Sequence, residues 1–204
     1  MRKEHVLAVL CFGSLWGLSE AVLGGVLYRA HIAHASIPLA VVGFVVLTAA
    51  RSYWSAPGSA TAIAACAMLY KFLNCPFFGC HLLGILALGV AYDMVRHGLG
   101  IKNEPLFAAA ATYLGFALFA LTITYVVRYE YWTAEGAARV LRHIAWSGTL
   151  AAIANVLAVP LTVRLAERLG PRLTHSFVLR PRFSAGALSA VMALLWLLAL
   201  TATF

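Results

Sequence analysis

Charged residues are scarce in this chain, and acidic residues are the scarcest of them. Only 11% of its 204 residues are Asp, Glu, Lys or Arg, whereas a water-soluble domain has about 25%. Hydrophobic residues make up 63% of the chain, and its mean hydropathy is +0.89. This composition excludes an intrinsically disordered chain, a coiled coil and an ordinary water-soluble enzyme. It indicates one transmembrane domain that covers residues 1–204.

Cysteine and catalytic sequence motifs are also lacking. Four cysteines in hydrophobic surroundings are too few for a disulfide-stapled secreted domain. The sequence has no Cys-x-x-Cys pair, no P-loop for ATP, no Gly-x-Ser-x-Gly elbow and no His-Glu-x-x-His zinc motif. We therefore expect a protein that is not an enzyme, has no catalytic residue and needs no cofactor. Any pumping would draw its energy from another protein.

Hydrophobic segments suited to cross a bilayer recur along the chain. A membrane-spanning helix needs about 20 mostly apolar residues, because its backbone must satisfy its own hydrogen bonds. The pattern predicts an all-α, polytopic bundle of six to seven spans. The second and third predicted spans are the weakest, since they are short and separated by only a few residues. The seven segments are 5–28, 36–50, 55–74, 76–95, 105–127, 139–165 and 184–204.

The 15 Lys and Arg residues outnumber the seven Asp and Glu residues, and in a membrane protein this excess orients the helices. With seven alternating spans, ten of the cations fall on the side of the N-terminus: Arg2, Lys3, Arg51, Arg96, Lys102, Arg164, Arg168, Arg172, Arg180 and Arg182. Five fall on the opposite side: Arg29, Lys71, Arg128, Arg139 and Arg142. This bias predicts a multi-pass protein of the cell membrane with a cytoplasmic N-terminus. We expect membrane lipid as a partner and no nucleic acid.

Glu20 is the only acid that we place well inside a span, because Asp93 falls at a predicted helix end. A charged acid at that depth costs about 2.5–3.5 kcal/mol to insert, so it must face a partner or water rather than lipid. One interpretation is a ligand contact, and the other is a structural pair with a hydroxyl or a cation. Lys71 and Asn74 share one face of the third predicted helix and supply a candidate partner.

These groups predict a pocket that opens on the side opposite the N-terminus and holds a small polar ligand. Alone, Lys71 would reach the lipid headgroups, and Asn155 would equally join two helices. The predicted substrate-binding residues are Trp16, Glu20, Lys71, Asn74, His81, His143, Trp146 and Asn155.

Cys75, Cys80 and His81 suggest a second interpretation, a membrane redox or metal-handling protein. They supply at most three ligands, and buried cysteines with a hydrogen-bonded histidine explain the cluster more simply. Our first expectation is therefore no metal. A third interpretation is a structural subunit of a larger membrane complex, without a pocket.

Small residues recur every four positions in the first predicted helix, at Gly13, Gly17, Ala21 and Gly25. Such a stripe lets another helix approach closely, and that helix belongs either to this bundle or to another protein.

The run from Gly13 to Gly24, together with segment 50–59 and the sequence Leu-Tyr-Lys-Phe-Leu-Asn at 69–74, resembles the S components of energy-coupling factor (ECF) transporters or a related family of prokaryotic integral membrane proteins. The resemblance covers about the first half of the chain. It implies a substrate-capturing subunit that takes up a vitamin, a vitamin precursor or a metal ion. It also implies a transmembrane coupling subunit and cytoplasmic ATPases as partners. The contact with the coupling subunit maps onto the small-residue stripe of the first helix.

Overall fold

The computed structural model describes residues 3–73 and 79–173, together with Leu194 and Leu197, and all regular structure in that part of the chain is helical. The predicted all-α fold is therefore confirmed. The six main helices are α1 (Lys3–Arg29), α2 (Ser36–Arg51), α3 (Ser59–Leu69), α4 (Gly79–Asp93), α5 (Glu104–Leu121) and α8 (Thr149–Leu173). Two short helices, α6 (Glu130–Thr133) and α7 (Ala137–Arg142), connect α5 to α8.

Four turns of different pitch extend or join these helices. A 3₁₀ turn, Tyr70–Leu73, continues α3. Wider π-helical turns follow α4 at Met94–Gly98 and α5 at Thr122–Val126, and another joins α7 to α8 at His143–Gly148. π-Helical turns are rare and are found frequently at functional sites.

Four helical segments are long and apolar enough to cross a membrane: His5–Arg29, Gly79–Gly98, Glu104–Val126 and Ala137–Arg168. The apolar helices Ser36–Arg51 and Ser59–Phe72 are shorter. At 1.5 Å per residue they are about 24 and 21 Å long, against about 30 Å of bilayer hydrocarbon. They match the second and third predicted spans. The seventh prediction, 184–204, lies outside the described residues apart from Leu194 and Leu197, so six to seven spans stay a prediction.

The six main helices pack as a closed ring. The order around the ring is α1, α3, α4, α5, α8 and α2, which returns to α1. At one end, His5 near the start of α1 stacks on Trp54, just after the end of α2, with 4.7 Å between ring centroids. We call this the near end of the bundle, and the end where α1 finishes at Arg29 the far end.

The small-residue stripe of α1 packs against α3 of the same chain. A Cβ atom built on Gly13 would lie 2.5 Å from Cβ of Cys66, and one on Gly17 would lie 2.4 Å from the ring of Tyr70. Ala21 is buried as well, whereas a Cβ on Gly25 would meet only the tip of a neighbouring arginine. Internal packing therefore occupies Gly13 and Gly17, which is the first of the two alternatives for this stripe. The physical reason is that α3 already lies within van der Waals contact of both glycines.

The near end is closed by an ion-pair cluster at the helix termini. Glu104, at the start of α5, accepts two hydrogen bonds from Arg51, of 3.0 and 3.1 Å. Arg96 lies 3.3 Å from the same carboxylate. Both guanidinium groups also sit over the ring of Phe107, at 5.8 and 5.4 Å from its centroid. This cluster joins the end of α2, the end of α4 and the start of α5.

Asp93 is a second acid of the near end, and it is buried rather than solvated, with 9% of its surface exposed. Its carboxylate accepts hydrogen bonds from the main-chain N–H groups of Ala60 and Thr61 at 3.3 and 2.8 Å, and from the Thr61 hydroxyl at 2.7 Å. The first N–H groups of a helix have no partner within the helix. Asp93 of α4 therefore caps the start of α3.

The connection between α6 and α7 is polar. Glu135 accepts hydrogen bonds from Arg139 and Arg142. The bonds from Arg139 first, and then from Arg142, hold the pKa of the Glu135 carboxyl below its usual range. Arg139 also lies over the ring of Tyr131. These pairs fix the turn that leads into α7 and on to α8.

Candidate functional site

Glu20 and Lys71 form a buried ion pair between α1 and the 3₁₀ turn after α3. Oε2 of Glu20 lies 3.2 Å from Nζ of Lys71, and only 6% and 4% of the two side chains is exposed. Nζ also donates a hydrogen bond of 2.8 Å to the main-chain oxygen of Glu20. A buried charge is costly unless it is both paired and hydrogen-bonded. Glu20 and Lys71 therefore satisfy both requirements for each other, since each supplies the opposite charge and a hydrogen-bond partner.

Trp16 holds the other oxygen of this carboxylate. Its indole N–H donates to Oε1 of Glu20 at 3.3 Å, one helical turn away. The indole is fully buried and lies against Gly43 of α2, where a built Cβ atom would come within 2.7 Å of the ring. Because α2 fixes the indole, Trp16 positions the carboxylate from behind.

A cavity of about 410 Å³ lies beside Glu20 in the far half of the bundle. Its walls come from α1, α2, α4, α5, the loop that joins α1 to α2 and the π-helical turn before α8, while α3 and α8 contribute no lining residue. Its volume is in the range of about 300–1,000 Å³ found for small-molecule sites. Most of the lining is aliphatic, aromatic or glycine. The polar or ionisable members are Glu20, Tyr28, His31, Ser36, Cys80, His81 and His143.

His143 enters this cavity from the π-helical turn that precedes α8. Its ring stacks on Phe116 with centroids 5.1 Å apart, and the edge-on ring of Trp132 lies at the same centroid distance. Phe119 completes the enclosure at 5.5 Å. Three aromatic rings from α5 and α6 therefore fix the orientation of this imidazole.

The loop from α1 to α2 passes beside the cavity and has an unusual backbone. His31 and His34 both have positive φ, of 51° and 59°, a region that few residues other than glycine occupy. His34 Nδ1 lies 3.1 Å from the hydroxyl of Ser147, which ties the loop to the turn before α8. Sequence reasoning missed these contacts, because two histidines in a short loop carry no spacing signal.

The structure brings together Glu20, Lys71 and Trp16, and it places His81 and His143 in the cavity wall. Lys71 and Trp16 lie behind Glu20 rather than in the lining. The predicted pocket residue Asn74 lies outside the described residues.

Trp146 and Asn155 lie away from the cavity lining. Trp146 is 57% exposed on the outside of the ring. Asn155 is buried and donates a hydrogen bond of 2.9 Å to the hydroxyl of Thr112. Because this bond links α8 to α5, Asn155 joins two helices, which is one of the two interpretations of this residue.

The metal interpretation depends on residues that the structure describes only in part. Cys80 and His81 line the cavity, and Cys75 lies outside the described residues. Within 3–73 and 79–173, no group of three or more His, Cys, Asp or Glu side chains could hold a metal ion.

Comparisons with protein-family models, with curated proteins and with solved structures found no match for this chain. The resemblance to S components therefore stays a prediction, and function has to be argued from the site itself.

Proposed function

We propose that this chain is an integral membrane protein that captures a small molecule in the far-half cavity. The observation that carries the proposal is the cavity of about 410 Å³ with a buried ion pair at its wall. Protein interiors are close-packed and contain few voids larger than a water molecule. An apolar cavity of this size with a few polar groups is the usual form of a small-molecule site, which supports capture over a purely structural role.

In this proposal the near end faces the cytoplasm and the cavity faces the outside of the cell. The bias of ten cations against five supports that orientation. The helices α2 and α3 act as short spans, which a bilayer accommodates by local thinning. Together with α1, α4, α5 and α8 they give six crossings, and segment 184–204 adds a seventh.

The finer proposal is a substrate-capturing subunit of an uptake transporter, as the resemblance to S components implies. The chain has no ATP-binding motif, so ATPase subunits and a transmembrane coupling subunit would supply the energy. Since Gly13 and Gly17 pack on α3, the coupling subunit would dock on another face of the bundle. Copurification of ATPase subunits with the tagged protein in mild detergent is the expected result, and isolation of the chain alone from its native membrane would argue against this role.

A pair of glycine variants on one helical segment tests capture directly. A Cβ atom on Gly84 would make only ordinary contact with Phe119, and Gly84 lines the cavity, so Gly84→Leu extends a side chain into it. Gly98 closes the same segment at the near end, and a Cβ atom there would meet nothing within 4 Å. Gly98→Leu is therefore the matched control.

We expect mass spectrometry to find a small molecule in stoichiometric amount with the wild-type protein and with Gly98→Leu. Gly84→Leu should lose most of it, by about tenfold or more, while keeping the same helical circular dichroism. Equal retention by both variants would show that the cavity does not hold the molecule and would overturn the proposal.

A further inference from the structure

We infer that the molecule captured in the far-half cavity is an uncharged aromatic compound that carries an N–H or O–H donor. This inference rests on the proposed function and adds the chemical class of the ligand. Three observations lead to it: the charge balance around the cavity, the acceptor in its wall and the character of its remaining lining.

The fixed charges at the cavity already balance. Among the described lining residues, Glu20 is the only Asp, Glu, Lys or Arg side chain, and Lys71 neutralises it at 3.2 Å. Segment 74–78, which follows the lysine, contains no Asp, Glu, Lys or Arg. A charged ligand would lose its hydration without gaining an unpaired counter-charge, and that loss is expensive in an apolar site. The balance therefore favours an uncharged ligand over a metal ion or an anion.

The ion pair nevertheless leaves a strong acceptor in the wall. An ionised carboxylate offers about four acceptor positions and no donor. Among the described residues, Trp16 and Lys71 are the side chains that contact the Glu20 carboxylate, so two positions are in use. A donor on the ligand would occupy a further position, and hydrogen bonds to an ionised group are about twice as strong as neutral ones.

The remaining lining is suited to an aromatic ring. Phe116, Phe119 and His143 line one side of the cavity and pack against one another as an aromatic cluster. Gly84 leaves flat backbone on the wall formed by α4, where a Cβ atom would make only ordinary contact with Phe119. An aromatic ligand that packs against this aromatic cluster gains more than its buried area alone provides.

Four related probes test this inference. Indole is neutral and has an N–H, and benzofuran has nearly the same shape with oxygen in its place. Tryptamine adds a positive charge to indole, and indole-3-acetate adds a negative one. Binding is measured by calorimetry on the full chain in nanodiscs at pH 8, where imidazoles of ordinary acidity are neutral. Empty nanodiscs correct for partitioning into lipid, and Gly84→Leu and Gly98→Leu report whether binding occurs in the cavity.

We expect saturable binding of indole to the wild-type protein and to Gly98→Leu, and loss of that binding in Gly84→Leu. Benzofuran should bind about tenfold more weakly, as expected for one hydrogen bond to a charged acceptor. Both charged probes should bind at least several-fold more weakly than indole. The inference would be overturned if benzofuran bound as tightly as indole, or if a charged probe bound more tightly than indole and Gly84→Leu blocked that binding. Either result would leave capture intact. If none of the four probes shows binding that Gly84→Leu blocks, the result counts against both the inference and the proposed function. Ligand retention by the two glycine variants then decides whether capture itself fails.

Discussion

The near and far halves of the bundle use buried charge in different ways. At the near end, Glu104 binds two arginines where three helices begin or end, and Asp93 caps the first turn of α3. In the far half, Glu20 lies in the middle of a long helix and pairs with a lysine beside a cavity. The near-end acids satisfy groups that a helix terminus leaves without partners. Glu20 satisfies no helix end, and this difference supports the proposal that the far half holds the functional site.

Side chains are packed closely in the near half of the bundle, whereas the far half contains the cavity. Around the near-end acids, Phe107, Tyr92 and Val95 are buried, and Tyr92 meets Phe107 edge-on with centroids 4.7 Å apart. In the far half, glycines and a short loop border open volume instead. Function is expected where close packing is given up next to polar groups, because such a site costs stability.

Breaking the far-half ion pair should have the largest effect of any single change. Lys71→Met leaves the Glu20 carboxylate buried without its cation, and removing one partner of a buried pair costs about 3–5 kcal/mol. Glu20→Gln should cost less, because Lys71 keeps its bond to the main-chain oxygen of residue 20. The free energy of unfolding of each variant, measured by denaturant titration in detergent, checks the predicted cost of Lys71→Met and the predicted order of the two variants.

The double variant sharpens this result. Glu20→Gln with Lys71→Met removes both charges, so it should be more stable than Lys71→Met alone. Lys102→Met is the control at an exposed near-end lysine, and it should change stability by less than about 0.5 kcal/mol. Additive costs in the double variant would show that the two charges do not depend on each other, and the contrast between the halves would fail.

Removing the cap at the near end should have a smaller effect and leave binding untouched. Asp93→Ala takes the acceptor away from the first N–H groups of α3, and loss of a helix cap costs about 0.5–2 kcal/mol. Asp93→Asn keeps one acceptor oxygen and should cost less. Glu130→Ala removes an exposed acid and serves as the control. A change in ligand retention in Asp93→Ala, measured by the same mass spectrometry, would mean that the two halves are coupled.

Much of the fold followed from composition and hydrophobic pattern. The predicted segments 5–28, 36–50 and 105–127 match α1, α2 and the α5 segment closely. Hydrophobicity along the chain carries that information, because in lipid an apolar segment of about 20 residues satisfies its own backbone hydrogen bonds as a helix. Whether the short helices cross a bilayer depends on lipid adaptation, which no pattern in the chain reports.

The candidate site was predictable only where chemistry forced a contact. An acid at the depth of Glu20 needs a partner, and the helical spacing pointed to Lys71. The cap at Asp93 was missed, because its partners are main-chain N–H groups of a helix that lies 32 residues earlier in the chain. Trp146 shares a helical face with His143 only if the turn between them is α-helical. The π-helical turn at 143–148 changes that angular relation, and Trp146 is exposed on the outside of the ring.

A polar pair that lies between the two halves should show the smallest effect. Asn155 of α8 donates to the Thr112 hydroxyl, and Thr112 in turn donates to the main-chain oxygen of Ala108 at 2.7 Å. Thr112→Val removes the acceptor of Asn155, and hydrogen bonds between membrane helices average about 0.6 kcal/mol. The Thr162 hydroxyl likewise donates to a main-chain oxygen of its own helix, that of Ala158. Among the described residues, no other helix donates a hydrogen bond to this hydroxyl. Thr162→Val is therefore the matched control. We expect Thr112→Val to lower the free energy of unfolding by about 0.6 kcal/mol more than the control does, with ligand retention unchanged. A loss as large as that of Lys71→Met would place the decisive polar contact of this bundle at Asn155 rather than at Glu20.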